Sequence, residues 1–302
     1  MSLKNKPVAI AAALFCMILW ASAVPMIKTQ YALFHIPPND IGSRFLLAGL
    51  RFFISGIMVL IYFKWIRHQT VTVDNGQWGF LLKIALIQIT AQYMLYYLGL
   101  AYTQGVKAAV IQSFNALLIV IMSVVMISAE HFTTKKVAAI ALGTVGLIIA
   151  NAGGLQGGFT LRGEGAILSS TILNAYSLIL VKRDGVHIPS PIISIVQFLV
   201  GSLPLIVLGL LLKDTHWQHS TIGIISIFYG GFVSATAFTL WYNILKIHSS
   251  SEFGFYKIFV PIFGSMLSML VLGEVLSASL FIGLCCCVVA TGILNIRTHK
   301  RM

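Results

Sequence analysis

Ten hydrophobic segments follow one another along almost the whole chain, and they constrain its fold more than any other feature. They lie at about 7–27, 42–63, 79–101, 107–128, 136–152, 163–181, 190–212, 220–244, 252–272 and 276–296. About 20 apolar residues are enough for a helix to cross a bilayer. Backbone polar groups in lipid must be bonded within their own segment, which favours helices. The sequence therefore predicts an all-α membrane protein with ten transmembrane helices.

The composition agrees with a lipid environment. Hydrophobic residues make up 58% of the chain and charged residues 9%, with a mean hydropathy of +0.93. A water-soluble protein of this length needs far more charge to cover its surface. The first segment shows no clear small-residue cleavage site, so we interpret residues 8–27 as the first helix rather than a signal peptide.

The ten segments also divide into two repeats of five segments each. At an offset of 144 residues, Gly79 pairs with Gly223 and Glu130 with Glu274, and at an offset of 154, Lys28 pairs with Lys182. We assign residues 1–152 to a first repeat, 153–162 to a linker loop and 163–302 to a second repeat. Because five is odd, the second copy is inverted relative to the first, an arrangement typical of transporters.

The basic residues predict the orientation. With the N-terminus placed inside, 13 of the 20 lysines and arginines fall at inner segment ends and 5, including Arg44, at outer ends, while Arg51 and Lys257 lie within segments. This bias predicts that both termini are cytoplasmic. It also explains the net charge of +12 through contact with anionic lipid, so we expect no nucleic-acid partner.

Residues suited to catalysis or metal binding are not grouped within the segments. The eight acids and eight histidines fall in loops or at segment ends. Cys16 and the run Cys285–Cys287 lie in apolar stretches without histidine or carboxylate at ligand spacing. We therefore predict no enzymatic activity, no catalytic residue, no metal site and no cofactor.

Polar residues inside the segments are the candidates for function, because each is costly in hydrocarbon. In the third segment Gln88, Gln92 and Tyr96 recur every four residues and share one helix face. Similar residues occur in the first, fourth, sixth and eighth segments. Two interpretations stay open: these groups hold helices together at about 1 kcal/mol or less per bond, or they line a polar cavity.

The ninth segment carries a cation beside a proline. Lys257, Pro261 and Gly264 lie three or four residues apart on one face, and proline frees the carbonyl four residues before it, that of Lys257 itself. Lys257 either faces a cavity, where it would bind a substrate, or reaches back to the inner headgroups. We interpret Arg51 as reaching the outer headgroups.

These residues resemble those of the drug/metabolite transporter superfamily. Trp20-Ala21-Ser22 with Pro25 and Lys28 resembles its first helix, and Leu50-Arg51-Phe52 its second. The ends Ala129-Glu130 and Leu272-Gly273-Glu274 resemble the signature that closes the fourth and ninth helices of its EamA-type repeats. Tyr256-Lys257 with Val260-Pro261 resembles the ninth helix. Leu117, the offset mate of Pro261, departs from the proline pattern.

The resemblance implies a carrier in which helices 1, 3, 4, 6, 8 and 9 line a central site, with alternating access of two inverted halves. The expected function is export or exchange of a small polar metabolite, such as an amino acid, in the cell membrane. The alternatives are a non-transporting scaffold or sensor and, after it, a membrane-embedded enzyme; no oligomeric state is predicted. The predicted substrate-binding residues are Trp20, Gln88, Gln92, Tyr96, Gln112, Asn115, Asn174, Ser177, Thr236, Trp241, Tyr256 and Lys257.

Overall fold

The computed structural model describes residues 3–37, 39–102, 105–151, 160–218, 220–272 and 278–295, and within these ranges the chain is helical without strands. The α-helices are α1 (Lys6–Leu33), α2 (Ile41–Ile61), α3 (Trp78–Ile84), α4 (Gln92–Tyr102), α5 (Gly105–Met126), α6 (Thr134–Asn151), α7 (Ala166–Arg183), α8 (Ser190–Leu212), α9 (Thr221–Ile247), α10 (Ser250–Gly254), α11 (Phe259–Leu272) and α12 (Ala278–Asn295). The prediction of an all-α fold is confirmed.

In the part of the chain that the structure describes, six continuous helical stretches are long and apolar enough to cross a membrane. They are Lys6–Leu33, Ile41–Ile66, Asn75–Leu100, Leu161–Arg183, Ser190–Leu212 and Thr221–Ile247. Helices α5, α6, α11 and α12 coincide with the other predicted segments. Large apolar side chains such as Leu270, which is 81% exposed, cover the outside of the bundle. A surface of this kind suits contact with lipid tails rather than water.

The helices pack as two equivalent sets. Helix α1 contacts α9 and α11, and in the same way α7 contacts α4 and α5, while α2 pairs with α8 and α6 with α12. Exchanging α1 with α7, α2 with α8, α4 with α9, α5 with α11 and α6 with α12 reproduces these contacts. Helices α6 and α12 are separated by the predicted offset of 144 residues at both ends. The repeat seen in the sequence is therefore also a repeat of packing.

Glycines allow α2 and α8 to approach closely. A Cβ atom on Gly42 would lie 2.1 Å from the backbone carbon of Leu212, and one on Gly209 would lie 2.5 Å from the backbone nitrogen of Leu46. Such distances leave no room for a side chain. Small residues at helix crossings are how membrane helices gain close van der Waals contact.

Among the departures from regular α-helix, two interrupt helices whose equivalents in the other repeat are continuous. A π-helical stretch, Ala85–Ala91, joins α3 to α4, whereas the equivalent α9 is continuous. A 3-10 stretch, Phe255–Ile258, joins α10 to α11, whereas the equivalent α5 is continuous. Pro261 falls in the first turn of α11, where proline costs no helical hydrogen bond.

The connection between α9 and α10 joins several parts of the bundle at one end. The backbone N–H of Ser250 donates to Glu130 Oε1 at 2.8 Å, and Lys6 pairs with Glu252. His248 Nε2 contacts the Leu3 carbonyl at 2.7 Å. These contacts close this end of the helix bundle. Glu274, the repeat mate of Glu130, and most of the predicted linker 153–162 lie outside the described residues.

Candidate functional site

Lys257 lies inside the bundle. It sits on the 3-10 stretch between α10 and α11, which the chain forms just before the proline-containing first turn of α11. Its Nζ donates to Asn174 Oδ1 at 2.8 Å and stands 4.7 Å from the centre of the Trp20 ring. An ammonium so placed is stabilised by an amide dipole and an aromatic face. Of the two interpretations left open by the sequence, the structure favours the inward-facing one.

Amide side chains extend this contact across the two repeats. Asn174 Nδ2 donates to Gln92 Oε1 at 3.0 Å, and Gln88 Nε2 donates to the same oxygen at 2.9 Å. We call Lys257, Asn174, Gln92 and Gln88 the polar chain. Its first two members belong to the second repeat and its last two to the first. The four-residue spacing of the glutamines, predicted from sequence, does bring them into contact.

Aromatic rings form a wall beside the polar chain. The Trp20 ring meets Trp241 edge-on at 5.7 Å and Phe238 at 5.3 Å between ring centres. Trp20 comes from the first repeat, on α1, and the other two rings come from α9 in the second. The wall therefore also spans the boundary between the repeats. Rings of this kind provide apolar contact area and a cation-binding face at one place.

The hydrogen-bonding capacity at this site is not exhausted. Gln88 Oε1 and Trp241 Nε1 are buried without a partner among the described residues. The described ion pairs involve other groups, and Lys257 takes part in none of them. A positive charge flanked by an unused acceptor and an unused donor can bind a ligand that has both a carboxylate and hydrogen-bonding groups.

The other predicted substrate-binding residues belong neither to the polar chain nor to the aromatic wall. Asn115 Nδ2 donates to the Thr171 carbonyl at 3.1 Å and ties α5 to α7, while Ser177 bonds to the carbonyl of Asn174 within its own helix. The Asn115 contact fits the helix-holding interpretation, whereas the Ser177 contact stays within α7. Tyr96 packs edge-on against Tyr97. Tyr256 is buried in a row of rings beside Phe253 and Phe259, and Gln112 and Thr236 are half-buried.

The prediction for Arg51 is wrong. Its side chain is only 5% exposed, and its guanidinium carbon lies 4.4 Å from the Phe52 ring centre and 5.7 Å from that of Tyr93. Arg44, counted from sequence as an outer-end residue, is likewise buried. The two are seven residues apart, so they share a helix face, and that spacing was the signal available in the sequence.

A separate cavity of about 540 Å³ lies at the end of the bundle that carries the loop after α2. Its lining includes His68, Asp74 and His187 and does not include the polar chain. Within the described ranges, no three histidine, cysteine or acidic side chains gather at metal-binding distances. The polar chain with its aromatic wall is therefore the better candidate for a solute site.

Comparisons with known proteins agree with this fold. The chain is 25% identical over 289 residues to the uncharacterized transporter YvbV of Bacillus subtilis (strain 168), covering 95% of this chain and 91% of that protein. It is 25% identical over 250 residues to the uncharacterized transporter YetK of the same organism, covering 80% and 75%. A protein of known crystal structure superposes with a TM-score of 0.81 at 18% identity, over 96% of this chain and 97% of that one.

The family comparison accounts for almost the whole chain. The model of the EamA-like transporter family matches twice, over residues 7–152 and again over residues 161–296. Each match covers five of the hydrophobic segments predicted from sequence. The protein is a multi-pass protein of the cell membrane, and its relatives point to transport rather than to enzymatic catalysis. The chain belongs to the EamA-like transporter family, within the drug/metabolite transporter superfamily.

Proposed function

We propose that this transporter exports or exchanges a small polar metabolite that carries a carboxylate, such as an amino acid, and that Lys257 binds the carboxylate. The observation that carries the proposal is the Lys257 ammonium, which lies inside the bundle against Asn174 and Trp20 without an ion pair among the described residues. A charge in such a place is costly unless a ligand or partner offsets it. A substrate carboxylate supplies the missing negative charge.

The surroundings of Lys257 favour a zwitterion over a larger anion. Gln88 Oε1 is an acceptor with no partner among the described residues, whereas Gln92 Oε1 already accepts from Asn174 and Gln88. An ammonium group on the substrate requires acceptors of this kind, and the face of Trp20 or Trp241 attracts the same charge. One lysine balances one carboxylate. A doubly phosphorylated solute would bring more negative charge than this site offsets.

The location of the site supports alternating access as the mechanism we propose. The polar chain and the aromatic wall are both built from the two repeats, so relative movement of the repeats would open or close them. The contacts of Ser250 with Glu130 and of Glu252 with Lys6 hold one end of the bundle shut. We place that end in the cytoplasm, with ten spanning helices and both termini inside. Inward opening then requires these contacts to break.

A second candidate is a scaffold or sensor that does not transport. The observation in its favour is that Gln88, Gln92, Asn174 and Lys257 bond to one another, as groups that only hold helices together would do. In that role, removing the charge of Lys257 would change stability but no solute flux. The same experiment therefore separates the two candidates.

The test is counterflow in proteoliposomes with labelled amino acids and neutral metabolites. Lys257→Met removes the charge at similar length, and Lys257→Arg keeps it. Lys83→Met is the matched control, because Lys83 is exposed on the outside of α3. We expect the charge-removing variant to lose at least about tenfold in apparent affinity, equivalent to 1.4 kcal/mol. Unchanged affinity in both Lys257 variants would contradict the role of Lys257, and no counterflow by the intact protein would favour the scaffold.

A further inference from the structure

Two buried arginines stand on one face of α2. Arg44 is 6% exposed and Arg51 is 5% exposed, and their seven-residue separation places them about 10 Å apart along the helix axis. Burial of a guanidinium inside a membrane bundle requires compensation. Neither arginine belongs to the polar chain of Lys257. The pair is therefore a second concentration of positive charge in the bundle.

Aromatic residues surround both guanidinium groups. The guanidinium carbon of Arg44 lies 4.7 Å from the Tyr31 ring centre, and that of Arg51 lies over Phe52 and Tyr93. Stacking on a ring uses the flat face of a guanidinium. Its N–H groups point outward in the plane and still need acceptors.

The acceptors are incomplete. The Nε atoms of Arg44 and Arg51 and the Tyr31 hydroxyl are buried without a hydrogen-bond partner in the part of the chain that the structure describes. The acid nearest to Arg44 in the sequence is Asp40, and its two oxygens accept from the backbone N–H groups of Ser43 at 2.8 Å and Thr215 at 3.0 Å. Neither arginine forms an ion pair with a carboxylate within the described ranges, so donors and positive charge lie here without a negative partner.

The neighbouring helix α9 leaves room for Arg51. A Cβ atom on Gly230 would lie 2.8 Å from Arg51 Cδ and 3.0 Å from Met26 Cε. A glycine at this point lets the arginine stem lie between α1, α2 and α9 instead of turning towards lipid. The backbone thus provides space for an inward-facing guanidinium.

We propose that Arg44 and Arg51, with the Tyr31 hydroxyl, bind an oxyanion of a soluble ligand, a carboxylate or a phosphate group. Planar guanidinium groups bind such oxyanions with two parallel hydrogen bonds. The burial of both arginines favours a soluble ligand over a lipid phosphate, because lipid headgroups approach from the outside of the bundle. This site is separate from that of Lys257 and does not depend on the proposed transport function.

The test measures thermal unfolding of the intact protein in an uncharged detergent with succinate, inorganic phosphate or chloride at matched ionic strength. A ligand that binds only the folded state raises the melting temperature in a saturable way. We expect succinate or phosphate to do so beyond chloride. Arg44→Gln and Arg51→Gln should abolish the shift, and Arg51→Lys should raise the half-saturating concentration at least about tenfold, since lysine lacks the planar fork.

Two further variants keep the test decisive if the glutamine variants do not fold. Gly230→Ala should displace Arg51 and weaken the response, whereas Gly79→Ala, where a Cβ atom meets nothing within 4 Å, should leave it unchanged. Lys83→Met, the exposed control on α3, should keep the full response to inorganic phosphate, whereas a response lost in Lys257→Met but kept in Arg51→Lys would place the oxyanion at Lys257 and overturn this proposal. The site is overturned if neither oxyanion stabilises the intact protein, if only added phosphatidylglycerol does, or if Arg51→Lys and Gly230→Ala respond like the intact protein.

Discussion

Glu130 Oε1 accepts a hydrogen bond from the backbone N–H of Ser250 at 2.8 Å, which joins the end of α5 in the first repeat to the start of α10 in the second. The other carboxylate oxygen lies 3.5 Å from Lys136 Nζ. Glu130 is buried. It therefore satisfies a backbone donor that would otherwise be unpaired, and it stands far along the chain from the groups that contact Lys257.

Replacing Glu130 should reduce stability rather than solute affinity. Glu130→Gln keeps an acceptor for Ser250 but loses the pair with Lys136, whereas Glu130→Ala leaves the Ser250 N–H unpaired, at a cost of about 1–3 kcal/mol. We expect the alanine variant to melt at a clearly lower temperature than the glutamine variant. Counterflow gives the affinity, and a pure change of affinity with unchanged melting would contradict this role.

Asp40 should stabilise the protein in a pH-dependent way. Burial tends to raise the pKa of its carboxyl, but the hydrogen bonds from Ser43 and Thr215 outweigh burial and lower that pKa below its usual value. A lowered pKa in the folded state means that the stabilisation is present above the unfolded pKa of about 3.9 and is lost as the pH falls below it. The melting temperatures of the intact protein and Asp40→Asn should differ at neutral pH and converge under acid conditions. A constant difference down to pH 3 would disprove this assignment.

The close contact of α2 with α8 should not tolerate side chains. Gly42→Ala places a Cβ atom against the backbone of Leu212 and Lys213, which cannot move as a flexible side chain can. We expect a large loss of stability or folded yield, in the range of about 1–3 kcal/mol that overpacking costs. Gly79→Ala is the matched control and should be neutral or mildly stabilising, because alanine favours helix by up to about 1 kcal/mol over glycine. Equal yield and melting temperature of the two variants would show that the helices can separate.

A carboxylate placed next to Lys257 should compete with the substrate. Asn174→Asp puts an anionic oxygen where Oδ1 now accepts from Lys257 Nζ, so the ammonium would be neutralised from within. We expect at least about a tenfold weaker affinity for carboxylate substrates in counterflow, equivalent to 1.4 kcal/mol. Asn243→Asp carries the same change on α9, where the amide donates to the Thr239 carbonyl, and should change affinity much less. Equal effects of the two variants would point to general damage by added charge.

The helical class and the repeat could be predicted from the sequence, because the lengths of the hydrophobic segments and the residue offset between the repeats are read directly from the chain. It placed the end of the first helix at about residue 27, whereas α1 continues to Leu33. The helix thus continues past Pro25 and Thr29, although its hydrophobic pattern ends earlier. The π-helical stretch before Gln92 and the 3-10 stretch at Lys257 could not be predicted, since no pattern in the sequence marks them.

Helical spacing was also enough to predict two of the four residues of the polar chain. The four-residue period of Gln88 and Gln92 requires only one helix, and their bond forms as expected. The partners of Lys257 required three-dimensional packing, because Asn174 is 83 residues away in the chain. Arg44 was misread for a related reason, since its place at the start of a helix does not reveal that Tyr31 covers it.

The pairing of α6 with α12 has a consequence for how the chain is made. α12 is the final helix of the described chain, so α6 leaves the ribosome and enters the bilayer with its partner not yet synthesised. The same holds for α1, whose contacts with α9 and α11 come from the second half. Contacts between distant parts of a chain slow folding. The first five segments must therefore stay in the membrane without these partners until α9, α11 and α12 have been synthesised, and we expect insertion factors to contact them during this interval.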